Sequence, residues 1–300
     1  MNTGIYDACN LGWKLAGIQT GKFHESVLDT YDSERRASAN HLINLDKDVS
    51  TLISGKIPSH FNAPPGAEVN EYLIQVFLQN AQFTVGLGVW CEPNLLNQVD
   101  PESPTTIRIG YRAPDSLVYR PGPKVAQRLR SFLPHTGRFW VLVFSGRVLE
   151  YDPAVEHPKL NPECSARYKS LRDCLDSSPQ NIAPVSNFLT IVHSDDLQQP
   201  RETIGVLPLG KVVHDHKGET YARFGVNPKD GAIVVVRPDG IVSFSTRLDG
   251  GDKLVDYFQS FAKLASRQTT NKEVNDKAYI VEGEISIEGQ EERRERSALV

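Results

Sequence analysis

The sequence predicts an α/β (α+β) protein, with a helical N-terminal part followed by a helix-on-sheet sandwich built on a mixed sheet. Three observations carry that expectation. Residues 1–56 keep helical spacing up to a stop at Gly55. Two near-continuous apolar runs, "RFWVLVFSG" (138–146) and "FLTIVHS" (188–194), have the character of strands covered on both faces. Finally, "GAIVVVRPDGIVSFST" (231–246) reads as two strands joined by Pro-Asp-Gly, where Pro presets φ and Gly accepts a positive one.

The elements follow in order. In "MNTGIYDACNLGWKLAG", Asn2 and Thr3 are helix-capping types and Asp7 lies near the positive end of the dipole. Ile5, Ala8, Gly12, Leu15 and Ala16 share one face, with Gly12 allowing close packing. A second helix places Leu28, Tyr31, Arg35, Leu42, Leu45, Val49 and Leu52 on one side. Within it, "DTYDSERRASA" reads as a solvated face whose internal ion pairs contribute about 0.2–0.5 kcal/mol each. "IPSHFNAPPGAEVN" is a Pro/Gly loop, "EYLIQVFLQNA" a helix and "FTVGLGVW" a short buried strand. Residues 92–106 are punctuated by proline and read as a linker or long loop, which puts a domain boundary near residue 110.

Beyond it, "VAQRLRSFL" is a short helix leading to the first central strand. "SARYKSLRDCLDS" is a helix with Tyr168, Leu171 and Leu175 on one face, followed by the second central strand and a further short apolar run, "TIGVLPLG". The hairpin comes next, and then "DKLVDYFQSFAKLA", an amphipathic helix with Leu254, Tyr257, Phe258, Phe261 and Leu264 inward. This order of helices and strands is thioredoxin-like. Residues 281–300, ending "EGQEERRERSALV", read as a charged, disordered tail.

Composition narrows the function classes. Apolar residues at 39%, charged ones at 23% and a net charge of −4 describe a globular, water-soluble chain without the basic stripe that nucleic acid requires. No segment approaches bilayer length, and the N-terminus lacks a basic n-region and an apolar h-region. The expectation is a cytoplasmic protein with neither a nucleic-acid nor a membrane partner. Its four cysteines (Cys9, Cys91, Cys164, Cys174) form no CxxC and are expected to be reduced.

The thioredoxin-like order invites redox chemistry, which needs a low-pKa thiolate with a resolving partner at the first strand–helix junction. No cysteine follows "RFWVLVFSGR" there, and Cys164 and Cys174 are too far apart to imitate the pair, so both read as structural thiols. His214, Asp215 and His216 offer an H-x-H pair, but no third or fourth ligand is identifiable, and a polar turn leading into a strand is the plainer reading. No metal is expected. Nucleophile-elbow, Walker and zinc-protease motifs are absent, and "GLGVWCE" lacks the third glycine of a dinucleotide fingerprint.

Two segments nevertheless stand out. "MNTGIYDACNLGWKLAG" and "VLDTYDSERR" resemble the FAD-dependent aromatic hydroxylases of the phenol 2-monooxygenase type. In that family a G-Q-G-M-N-T-G-I-x-D-A-x-N-L-G-W-K-L-A stretch caps the flavin site and a Y-[DE]-x-E-R-R segment follows on the next helix. Met1 through Ala16 match the first, with Tyr6 and Cys9 at variable positions, and Tyr31, Asp32, Glu34, Arg35 and Arg36 match the second. The resemblance thins through "FTVGLGVW" and "GYRAP". It is firm again at "FGVNPKDGAIVVVRPDGIVS", which is similar to the family's C-terminal thioredoxin-like domain, known for dimer contacts and without redox cysteines.

The resemblance implies a division into residues 1–109, the helical remnant of the FAD/substrate domain, residues 110–280, a thioredoxin-like dimerisation domain, and the tail at 281–300. It implies FAD as cofactor, NAD(P)H as reductant, a phenolic or other aromatic substrate and a homodimer. The backbone N–H groups of Met1 and Asn2 would face the flavin. Asn2, Gly4, Asp7, Asn10, Gly12 and Trp13 would position the helix, and none would be catalytic. The family's nucleotide-binding βαβ unit and ring-contacting residues have no counterpart here, so the chain alone is expected not to hold FAD or to catalyse. Its start at Met1, the sole methionine, suggests a truncated gene model or an alternative start. The rival expectation is a non-catalytic dimerisation or interaction module.

Overall fold

A computed structural model describes residues 2–122, 125–147, 149–150, 159–194 and 204–266. Its centre is a seven-stranded mixed sheet. In chain order the strands are β1 (Leu117–Tyr119), β2 (Ala126–Arg128), β3 (Phe139–Phe144), β7 (Ser186–His193), β8 (Lys211–Asp215), β9 (Ala232–Val236) and β10 (Val242–Thr246), arranged β10-β9-β3-β7-β8-β1-β2. Two-residue strands outside it, β4 (Leu149–Glu150) with β5 (Lys159–Leu160) and β6 (Gln180–Asn181) with β11 (Ala265–Ser266), form small ladders. β3, β7 and β8 run parallel, with Leu142 opposite Leu189 and Ile191 opposite Val213, and the outer pairings are antiparallel.

The parallel pair β3–β7 requires a crossover. Helix α4 (Pro162–Ser177) supplies it, with Asn161 as N-cap accepting from the Glu163 and Cys164 amides at 3.0 and 3.3 Å and Pro162 in the first turn. Strand β3 is buried at every position, as both central runs predict. Phe139, Val141 and Val143 enter one core with Tyr168 and Leu171 of α4, whereas Trp140, Leu142 and Phe144 enter a second core on the opposite face. Helix α5 (Glu219–Arg223) and Phe132, which ends a 3-10 turn, cover that second face. Helix α6 (Gly251–Gln259) closes the first, burying Leu254, Tyr257 and Phe258, with Phe261 just past its end.

The N-terminal part holds three helices, α1 (Asn2–Gln19), α2 (Asp29–Ile53) and α3 (Val69–Thr84). Trp13 and Phe23 join the first core, edge-on to Phe139 at 5.4 and 5.9 Å between centroids. Gly17 makes room for this, because a Cβ there would stand 2.0 Å from Phe23 Cδ2. Around Phe23 the chain is tied to the segment after α6, with His24 N donating to Phe261 O at 2.9 Å and Lys263 N to Lys22 O at 2.8 Å.

Several expectations change. "FTVGLGVW" is no strand: α3 continues to Thr84, Gly86 turns with φ 77°, and only Trp90 makes a bridge, to Tyr111. "VAQRLRSFL" is no α-helix either. It forms β2, paired to β1, and then a 3-10 turn that buries Leu129 and Phe132 three residues apart. Residues 204–210 of "TIGVLPLG" contain no strand, and Thr203 and the 281–300 tail lie outside the described residues. Residues 92–106 are a loop, but a packed one: Leu96 is fully buried and Gln98 N donates to Ser243 O at 2.9 Å. No described helix is long and apolar enough to cross a membrane.

The largest change concerns α1. Ile5, Ala8, Gly12, Leu15 and Ala16, the face with apolar spacing, are exposed, and Gly12 meets nothing within 4 Å. Asn10, Trp13, Lys14 and Gly17 are the buried positions. Asn2 and Thr3 stand inside the first turn rather than ahead of it, and Asp7 pairs with Arg35 at 2.5 Å instead of serving the dipole.

Candidate functional site

Polar side chains enter the interior beneath α1 because they meet there. Glu34 of α2 is inaccessible to solvent and accepts six hydrogen bonds. Its Oε1 receives Arg237 Nη1 (2.5 Å), Asn97 Nδ2 (2.9 Å) and Asn94 Nδ2 (3.0 Å). Its Oε2 receives Asn10 Nδ2 (2.7 Å), Lys14 Nζ (2.9 Å) and Arg237 Nη2 (3.0 Å). Arg237 follows β9 and is equally buried; its Nε and Nη2 also donate to Asp239 at 3.0 and 2.6 Å, and its Nη1 to Asn97 Oδ1 at 3.0 Å. Asp239 in turn accepts from Trp13 Nε1 at 3.2 Å and Asn10 Nδ2 at 3.1 Å.

Lys14 and Arg237 balance Glu34 and Asp239, so no charge in the lattice is left without its opposite. That balance is what allows burial, since an unpaired ion in the interior would cost several kcal/mol. Burial alone would push the Glu34 carboxyl up, but the Arg237 guanidinium and then Lys14 outweigh it and hold the group far below its ordinary 4.5. For Lys14 burial prevails over Glu34 and lowers the ammonium. Burial also pushes the neighbouring Cys91 thiol up to about 12, with Arg237 opposing.

Local sequence explains how these groups converge. Asn10, Trp13, Lys14 and Gly17 recur at three- and four-residue steps and share a face of α1. Arg237-Pro238-Asp239-Gly240 forms the β9–β10 turn, with Gly240 N donating to Arg237 O at 2.9 Å and Gly240 at φ 83°. The turn aims Asp239 back over the Arg237 guanidinium, which also lies 5.5 Å from the Trp13 ring. Asn94 Oδ1 accepts from the Leu96 and Asn97 amides at 2.8 and 3.0 Å, folding the 92–100 loop so that both asparagines reach Glu34.

Beside the lattice, an open cleft of about 650 Å³ runs along the exposed face of α1, lined by Ile5, Cys9, Trp13, Val85, Arg112 and His135 among others. Tyr6 marks its edge, donating to Gly86 O at 2.8 Å and accepting from Arg112 Nη1 at 3.2 Å. The sequence-predicted residues divide between these two features. Asn10 and Trp13 enter the lattice, Gly12 lines the cleft, and Asp7 is held by Arg35. Gly4 is exposed with open space around it. Asn2 opens α1, and Met1 lies outside the described residues.

Sequence reasoning missed Lys14, Glu34, Asn94, Asn97, Arg237 and Asp239. A signal existed: the acid–arginine run of α2 sits opposite a lysine-bearing helix face, but read along one helix it resembles a solvated surface. Instead, Glu34 and Arg35 are buried. His214 and Asp215 end β8 in the interior, and His216 stacks edge-on near Tyr119 at 5.9 Å. Among the described residues no cluster of three or more His, Cys, Asp or Glu could hold a metal. Cys91 and Cys164 are buried, Cys174 is half-buried, and Cys9 is exposed.

Comparison with known proteins places these features in context. The model of the phenol hydroxylase C-terminal dimerisation domain matches residues 89–266, and that of a FAD binding domain matches residues 1–46. A phenol 2-monooxygenase of Aspergillus fumigatus is 26% identical over 282 residues, covering 86% of this chain and 44% of the relative. A 3-hydroxybenzoate 4-monooxygenase of Comamonas testosteroni is 27% identical over 285 residues, covering 88% and 43%. The chain therefore spans less than half the length of these curated relatives. Among solved structures, the flavin-dependent monooxygenase PieE, in complex with FAD and substrate, shares the fold over 86% of this chain and 43% of its own, at 18% identity and a TM-score of 0.50.

Proposed function

The chain belongs to the phenol hydroxylase C-terminal dimerisation domain family, and on that premise we propose that it is the C-terminal portion of a flavin-dependent aromatic-ring monooxygenase. In this reading residues 1–109 complete one wall of the flavin site, and residues 110–280 form the part through which two copies pair. The observation that carries the proposal is the lattice beneath α1: a helix bearing the flavin-capping motif is anchored through its polar face while its apolar face is left open.

The residues present fit one edge of a flavin. Helix α1 has no acidic residue in its first turn, so nothing there repels an anionic ring edge. No G-x-G-x-x-G turn is available for the nucleotide half. Bound reduced flavin supplies the oxygen chemistry that hydroxylates a phenolic ring, with NAD(P)H as the source of electrons. The contribution of this chain would be the free backbone N–H groups at the start of α1, which opens at Asn2, since a helix start stabilises negative charge by about 1 kcal/mol. Ile5 and Val85, along the cleft, would help to exclude water.

Flavin binding tests the proposal. The 300-residue chain should purify colourless and should not quench added FAD. Fused behind the N-terminal half of the Aspergillus phenol 2-monooxygenase, it should retain stoichiometric flavin. A colourless fusion that is folded by circular dichroism would overturn the flavin-wall reading. The second reading, a non-catalytic dimerisation or interaction module, is favoured by the same open apolar face, which invites a partner. An in-frame stop immediately upstream of the Met1 codon would support the module, and an in-frame extension encoding a dinucleotide fingerprint would support the enzyme.

A further inference from the structure

We infer that Glu34, Arg237 and Asp239 act as a positioning clamp, through which the β9–β10 turn sets the rotation and axial place of α1. The bonds that define α1 are directional ones. Asn10, Trp13 and Lys14 each donate into the Glu34 or Asp239 carboxylates, and Trp13 Nε1 reaches a residue 226 positions later in the chain. The apolar face that would otherwise orient the helix points to solvent, with Ile5 58% and Leu15 47% exposed. Rotating the helix by one residue would bring either Cys9, Gly12 and Trp13 or Leu11, Lys14 and Leu15 into the places of Asn10, Trp13 and Lys14, breaking all three bonds as they stand. A buried polar group used to specify register in this way is the best-attested role for such groups.

Arg237 is the hub. All three of its guanidinium nitrogens are engaged, two on Glu34 and two on Asp239, with Nη2 shared between them. Only a planar fork can bridge two carboxylates on different elements in this geometry, so lysine is not equivalent. The clamp itself is independent of any ligand. Its consequence for the amides at the start of α1 rests on the flavin reading: their aim would be set by a turn in the dimerisation-type part.

The test is native-state amide hydrogen exchange on the 300-residue chain without flavin. In Arg237→Lys, amides of α1 from Tyr6 to Gly17 should exchange at least about tenfold faster, while β3 and β7 keep their protection. Asp239→Asn, which leaves the Glu34–Arg237 pair in place, should accelerate the same amides by a smaller factor and serves where the lysine variant does not fold. Unchanged exchange in α1, or equal acceleration in α1 and the sheet, would overturn the clamp. Because no flavin is present, that failure would leave the flavin reading standing, whereas a colourless fusion with normal exchange would sink only the latter.

Discussion

Helices α1 and α6 pack on the same core with opposite faces. Helix α6 buries Leu254, Val255, Tyr257 and Phe258 and shows water its Asp252 and Asp256 side. Helix α1 buries an asparagine, a tryptophan and a lysine and shows water an isoleucine and a leucine. The energetics differ accordingly. Area burial supplies about 1.5–3 kcal/mol for each large apolar side chain of α6 and is non-directional, so it tolerates repacking. Beside the Trp13 ring in the core, the polar contacts of α1 are few, charged and angular; complete, they hold one orientation, and broken, they leave an ion stranded in the interior.

The largest expected effect tests that contrast directly. Arg237→Ala strands Glu34 with Lys14 as its only cation, and denaturant unfolding should report a loss of about 3–5 kcal/mol. Leu254→Ala in α6 should cost about 2–5 kcal/mol by cavity formation. The contrast sharpens if Leu254→Met restores most of the loss while Arg237→Lys restores little, and it breaks if both conservative replacements rescue alike.

Acid provides a second separation. The Glu34 carboxyl sits below its ordinary 4.5 in the folded chain, so its contribution is complete above that pH and is lost progressively as the pH falls toward the folded value. Urea midpoints followed downward from pH 5 should therefore fall more steeply in the natural chain than in Glu34→Gln, which begins less stable. Equal slopes would mean that the carboxylate is not held by its cations.

Much of this was legible beforehand. The strands at 139–144, 186–193, 232–236 and 242–246 and helices α4 and α6 follow from patterns that burial enforces residue by residue. The orientation of α1 does not, because periodicity registers that Ile5, Ala8, Leu15 and Ala16 share a face without registering what lies against it. Nor could Glu34 be told from the exposed Asp32 beside it, since its buried partners come from three distant segments. The apolarity of "FTVGLGVW" favours a strand, but Gly86 turns the chain at φ 77° and Gly88 lies where a Cβ would stand 2.8 Å from Phe83 N, so the segment folds back on α3 instead. The motif resemblance supplied what patterning lacked, a reason for α1 to be held firmly.

Smaller effects probe the two faces. Leu15→Gln on the open side of α1 should change the stability of this chain by no more than about 0.5 kcal/mol. A larger loss that depends on protein concentration would show that a second copy covers the face. Maleimide labelling should follow exposure, with Cys9 reacting in the native chain and Cys91, buried and pushed up to about 12, reacting only on unfolding. Early Cys91 labelling would mean that α1 lifts off its lattice readily.

The seat of Phe23 in the notch at Gly17 has a consequence for connectivity. Because Lys22 O and His24 N are each fastened to the segment beyond α6, the link between α1 and α2 is held at both ends. A protease cut after Lys22 would divide the chain without freeing its first helix, and the two pieces should remain together as complementing fragments. Covalent continuity is then dispensable for keeping α1 in place, and a peptide of the first 22 residues should reassociate with the remainder.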